Sequence, residues 1–120
     1  MESHDAITIL SALAQETRLN AFRALVRAAP HGVAAGALAD NLGVPQNTLS
    51  AHLAVLTQAR LVVSERQSRS IIYRANLESV RTIVLYLMKD CCGGRAELCA
   101  PLIAELNAGC GKRDKPRKRA

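Results

Sequence analysis

No other stretch limits the possible folds as strongly as Val33 to Ala59, VAAGALADNLGVPQNTLSAHLAVLTQA. Leu38 and Leu42 fall four residues apart, and Leu49, Leu53 and Leu56 fall at i, i+4 and i+7. Apolar residues at that spacing make one stripe of an α-helix. Gly43 and Pro45 lie between the two sets. The pattern therefore predicts a short helix over 34–41, a tight turn, and a second helix over 46–58. Away from the leucines, the second helix opens with Gln46, Asn47, Ser50 and Ala51, which are short, uncharged and mostly polar. Such a pair, joined by a turn containing Gly, is the helix-turn-helix pattern, whose second helix touches base edges in the major groove. A hairpin of helices that merely packs has the same leucine spacing, so the flanking segments must decide.

Residues 61–74, LVVSERQSRSIIYR, change period. Val62 and Val63 lead to a polar tip, Arg66-Gln67-Ser68-Arg69, and Ile71, Ile72 and Tyr73 return. β-branched runs on both sides of a short polar tip predict a hairpin. A helix-turn-helix followed at once by an Arg-tipped hairpin predicts a winged helix, mainly α with a β-hairpin wing. Its Arg66 and Arg69 would reach a phosphate or the adjacent minor groove.

Upstream, residues 6–14 place Ile7, Leu10 and Ala14 on one helical stripe. Residues 16–29 place Leu19, Phe22, Leu25, Val26 and Ala29 on another, with Arg18, Arg23 and Arg27 mostly off it, and Pro30, His31 and Gly32 stop that helix. Downstream, residues 77–89 predict a helix with Asn76 as N-cap. Its second half, IVLYLM, is apolar all round and must be covered on every side. One side can meet the chain's own core and the other a partner. The expectation is a homodimer through the N- and C-terminal helices, whose two-fold symmetry suits a palindromic operator.

At 120 residues the chain reads as one domain, 1–107, with a basic tail, 108–120. The net charge is +6, but residues 112–120 hold six Lys/Arg against one Asp, which leaves about +1 for the rest. That tail is expected to be solvated, adding salt-sensitive attraction to phosphates or only solubility. Phe22, Tyr73 and Tyr86 are the only aromatic residues, too few for a base-stacking platform. The N-terminal MESHD lacks the basic and apolar regions of a secretory signal, and the longest apolar run, Ile83 to Met88, is far too short to span a bilayer. The expected location is the cytoplasm, where four cysteines suit metal or redox chemistry better than structural disulfides.

The segments LSALAQETRLNAFRAL, LADNLGVPQNTLSAHLAVLTQARLV and ERQSRSIIYR resemble the ArsR/SmtB family of metal-responsive winged-helix repressors, over about Leu10 to Leu87. Gln15-Glu16-Thr17-Arg18 stands where the family has a D-P-T-R-like sequence. Pro45 to Leu53 stands where it has S-Q-S-T-V-S-H-H-L, with Gln46, Thr48, Ser50 and His52 of the family type and Ala51 replacing the first of the paired histidines. Arg66-Gln67-Ser68-Arg69 stands where the wing tip is often R-E-G-R, with Ser68 in place of the glycine that tolerates positive φ. The resemblance implies a homodimer that leaves double-stranded operator DNA when an inducer binds. Its DNA-contacting residues would be Gln46, Asn47, Thr48, Ser50, His52, Arg66 and Arg69. His52 also has a purely structural reading, as a residue bordering a helix contact.

Two inducer sites common in the family are not expected. The first helix of the helix-turn-helix offers no thiol or carboxylate in Val33 to Leu38, and residues 77–89 contain no His. What remains is Asp90-Cys91-Cys92-Gly93-Gly94-Arg95-Ala96-Glu97-Leu98-Cys99. Gly93-Gly94 is a helix stop, and Pro101 suits the first turn of a short helix through Leu106. Cys91, Cys92 and Cys99 could then converge. Three thiolates without imidazole favour a soft, thiophilic centre. A Cys-Cys pair with a third Cys a few residues on resembles the arsenite site of one family branch, which implies As(III), with Sb(III) similar. Two alternatives stay open. One is a four-thiolate site for zinc or cadmium that includes Cys110. The other is a thiol redox switch, which strain between adjacent Cys91 and Cys92 disfavours. The chain shows no C-x5-R after a strand, no phosphate-cradling glycine loop and no H-E-x-x-H, so it is not expected to be an enzyme.

Overall fold

The computed structural model describes residues 1–91, 100, 101 and 104–106. Helix α1 (Ser3–Leu13) and helix α2 (Glu16–Ala28) are followed by strand β1 (Val33–Ala34), helix α3 (Ala35–Leu42) and helix α4 (Gln46–Gln58). Strands β2 (Val62–Gln67) and β3 (Ser70–Ala75) then lead into helix α5 (Leu77–Cys91). The chain divides into two units, Met1–Val84 and Leu85–Ala120. Of the second, residues 85–91 are helical, as are Ala100, Pro101 and Ala104 to Leu106. The Gly93-Gly94 stop and the tail 108–120 lie outside the described residues. The architecture is the mainly helical winged helix-turn-helix with a β-hairpin wing that the sequence predicts.

The core of the first unit gathers around α4. Leu49, Leu53 and Leu56 are fully buried, and so are Leu25, Leu38, Leu61 and Val62. Each such leucine stabilises the fold by about 1.5–3 kcal/mol relative to exposure, so the stripe on α4 outweighs the modest helix propensity of its Asn, Thr, Ser and His residues.

Helix α1 turns a different face inward than its bulky residues suggest, and α2 buries only the centre of its expected face. On α1 the buried residues are Ala6, Ile9 and Ala12, whereas Ile7 is 62% and Leu10 43% exposed. Ala14 lies past the helix end. Two alanines on the inner face leave room for close approach between helices, which the larger side chains would prevent. On α2, Ala21, Phe22 and Leu25 are buried, while Leu19 and Val26 are exposed.

The turn of the helix-turn-helix is a Schellman motif. Gly43, with φ 68°, donates its N–H to Asp40 O, and Val44 N–H reaches Ala39 O. These bonds satisfy two carbonyls that the helix end would leave unpaired. Helix α4 ends in the same way, with Arg60 N–H to Thr57 O and Leu61 N–H to Leu56 O. There the positive-φ position is a non-glycine, Arg60 (φ 63°).

The sheet has the order β1-β3-β2, all antiparallel. Strand β1 pairs Val33 with Tyr73 and Ala34 with Ile72. It is two residues long, too short to show any alternation in sequence. Gly32 precedes it with φ 85°, and a Cβ there would lie 2.6 Å from Tyr73 O, so only glycine lets the chain enter the sheet at this point. Asn76 immediately precedes α5 as expected. Its side-chain amide, however, donates to Arg60 O (2.9 Å) and Ser79 Oγ (3.1 Å), so it ties the turn after α4 to the start of α5.

Candidate nucleic-acid interface

Helix α4 carries two functions on two sides. Residues advance by about 100° around a helix, so with Leu49, Leu53 and Leu56 inward, Asn47 and Ala51 occupy the middle of the outer face. Gln46 and Ser50 flank it on one side, Thr48 and His52 on the other. Gln46, Asn47, Thr48 and Ser50 are all exposed, and His52 is half-buried. Pro45 is the N-cap, and no side chain caps the helix. The first-turn N–H groups therefore face solvent as donors, in a place that favours an anion.

The wing comes to the Gln46 side. A cleft of about 370 Å³ is lined by Gly36, Gln46, Ser50, Arg69, Ile71 and Tyr73, among others. Arg69 and the first turns of α4 thus share one concave surface, although 19 residues separate Ser50 from Arg69 in sequence. The hairpin closes through Gln67 opposite Ser70, with Ser68 and Arg69 as its loop. Ser68 takes φ 58°, the conformation a glycine would take more cheaply. Arg66 sits on β2 opposite Ile71 and is exposed. Among the described residues neither Arg66 nor Arg69 is in an ion pair, so both charges are uncompensated and suit phosphate oxygens. Arg74 differs: it pairs with Glu65 across the strands at 2.6 Å.

On the opposite flank His52 meets Arg18, whose Nη1 lies 3.3 Å from His52 Nδ1. The spacing of residues gives no sign of this contact, because it joins α2 to α4. Arg18 and the cleft residues Gly36 and Tyr73 are parts of the site that sequence pattern does not reveal.

Of the three thiols expected to bind a ligand, Cys91 ends α5, while Cys92 and Cys99 lie outside the described residues, as does Cys110. Among the described residues no three His, Cys, Asp or Glu side chains converge, and no helix is long and apolar enough to cross a membrane.

A leucine-anchored helix with a polar outer face, set beside an arginine-bearing hairpin, defines a winged helix-turn-helix protein of the DNA-binding class. Residues 13–65 match the model of a helix-turn-helix domain family. Over 79 residues the chain is 34% identical to the HTH-type transcriptional regulator KmtR of Mycobacterium tuberculosis, covering 66% of this chain and 58% of KmtR. The crystal structure of NolR from Sinorhizobium fredii is similar with a TM-score of 0.59 and 34% identity, over 72% of this chain and 84% of that one. An ArsR-like transcriptional regulator from Rhodococcus sp. RHA1 is similar with a TM-score of 0.66 and 26% identity, over 88% of this chain and 92% of that one. The chain is thus similar to winged helix-turn-helix transcriptional regulators, among them the ArsR-like one from Rhodococcus. Its relatives are regulators and not enzymes.

Proposed function

We propose that the protein is a homodimeric repressor that binds a palindromic operator and leaves it when trivalent arsenic binds Cys91, Cys92 and Cys99. The observation that carries the DNA-binding part is the shared surface of α4 and the wing, where Gln46 and Ser50 line one cleft with Arg69. Asn47, Gln46 and Ser50 would read base edges, and Thr48 and His52 would meet the far edge of the groove. Arg66 and Arg69 would neutralise phosphates and so fix register without reading sequence.

Exposed apolar residues support the dimer. In the first unit Ile7 and Leu10 stand on the outer face of α1, and Val84 is exposed on α5. In the second unit Leu85 is 62% exposed, and Leu87 is exposed as well. Large apolar side chains left uncovered on helices mark an association surface. A second copy would cover them and bring two recognition helices to successive half-sites.

The donor chemistry supports the inducer. Three thiols with no imidazole nearby in sequence suit a soft, three-coordinate centre, which supplies three bonds to sulfur when bound. A ligand that binds the free dimer more tightly than the operator complex lowers operator affinity by the coupling free energy, about 1–3 kcal/mol in typical cases. Cys110 keeps a four-thiolate site for cadmium or zinc as the second reading.

The DNA-binding part is tested with a labelled duplex from the protein's own promoter and a scrambled duplex of equal length, at one salt concentration. The promoter duplex should bind more tightly, and Asn47→Ala and Ser50→Ala should reduce that preference. Equal binding of both duplexes by the wild type would refute an operator-specific role.

A further inference from the structure

Arg18 joins three helices. Its backbone N–H donates to Gln15 Oε1 (2.9 Å), which caps α2. Its Nε donates to Ala12 O (2.6 Å), a carbonyl in the last turn of α1, and its Nη1 meets His52 Nδ1 at 3.3 Å. Both Arg18 and His52 are half-buried.

We infer that Arg18 is a positioning residue for operator recognition, setting the rotation of α4 about its own axis through His52. This rests on the reading of α4 as the recognition helix. The leucine stripe holds α4 against the core, but apolar burial is non-directional and tolerates a small roll. A roll of about 20° would carry side chains on a helix some 10–12 Å across through roughly 2 Å, whereas a binding constellation must be held within about 0.5 Å. A guanidinium fork is directional and rigid. Here one arm is fixed on the α1 carbonyl and the other on the imidazole, two residues from Ser50 and one turn from Thr48. Arginine has donors only, so His52 must present an unprotonated Nδ1 and carry its proton on Nε2. Any bond that His52 gives to DNA is then a donated one.

The test compares wild type, Arg18→Lys, His52→Ala and the double variant on the promoter duplex and on an unrelated duplex at one salt concentration. Lysine keeps the charge but cannot hold both acceptors in the fork geometry. Arg18→Lys should lower promoter affinity on the order of tenfold and leave the unrelated duplex unchanged, and it should add nothing where His52 is already alanine, whose own loss includes any contact His52 gives to DNA. In the free protein, the ¹⁵N spectrum of the imidazole should show Nδ1 as an acceptor nitrogen and lose that signature in Arg18→Lys. Arg18→Gln, read on the same two duplexes and in the same ¹⁵N spectrum, keeps the inference testable if Arg18→Lys folds poorly. A promoter preference in the wild type that the Arg18 variant retains overturns the inference alone, as does an equal loss on both duplexes. A wild type without promoter preference overturns the operator reading, and the inference with it.

Discussion

Arg18 and His52, 34 residues apart in sequence, meet where Arg18 Nη1 approaches His52 Nδ1 at 3.3 Å, while Nε of the same guanidinium is held by Ala12 O. The contact gives the recognition helix a polar anchor on the flank opposite the wing. Hydrogen bonds to a charged group are worth about 1.5–3 kcal/mol. Arg18→Ala should therefore lower the unfolding free energy in urea by about 2 kcal/mol, whereas exposed Arg23→Ala on the same helix should change it by less than about 0.5 kcal/mol.

The two sides of α4 should separate stability from DNA binding. Leu53 is fully buried, so Leu53→Ala should destabilise the fold by about 2–5 kcal/mol. Asn47 is exposed at the centre of the outer face. Asn47→Ala should leave the thermal midpoint within a few degrees of the wild type and weaken promoter binding by about 1–3 kcal/mol. Thermal unfolding and anisotropy on the same two variants check both halves.

Gly32 and Gly43 both have positive φ but differ in surroundings. A Cβ added at Gly43 would meet nothing within 4 Å, so Gly43→Ala should cost only the conformational penalty, about 1–2 kcal/mol. Gly32→Ala adds a clash with Tyr73 O and the side chains of Ile72 and Arg74, and should cost more than about 3 kcal/mol. Conversely, Ser68→Gly should relieve the strained wing tip and stabilise by about 0.5–1 kcal/mol. Denaturant midpoints of the three variants give the order.

Much of this was legible locally. The bounds of α4 and its buried leucines follow from spacing, and the hairpin follows from two β-branched runs around a polar tip. The inner face of α1 did not, because bulk pointed to Ile7 and Leu10 while the core takes the alanine side. Nor did β1, which is defined by its partners Tyr73 and Ile72 on β3, or the bonds that Arg18 makes to His52 and Asn76 to Arg60. In each case the deciding contact is tertiary, and no window of sequence contains both partners.

Cys91→Ser and Cys92→Ser should keep promoter affinity within about twofold of the wild type and abolish release by arsenite, since on the proposed reading each would remove one of three sulfur donors. A variant that still responds fully would remove that cysteine from the ligand set.

The measurement that bears most directly on the proposed regulation is fluorescence anisotropy of the labelled promoter duplex, saturated with reduced protein, as arsenite is added, with cadmium and zinc in parallel. The account predicts a fall in anisotropy with arsenite alone. A fall with cadmium or zinc alone, or binding that none of the three reverses, would contradict it.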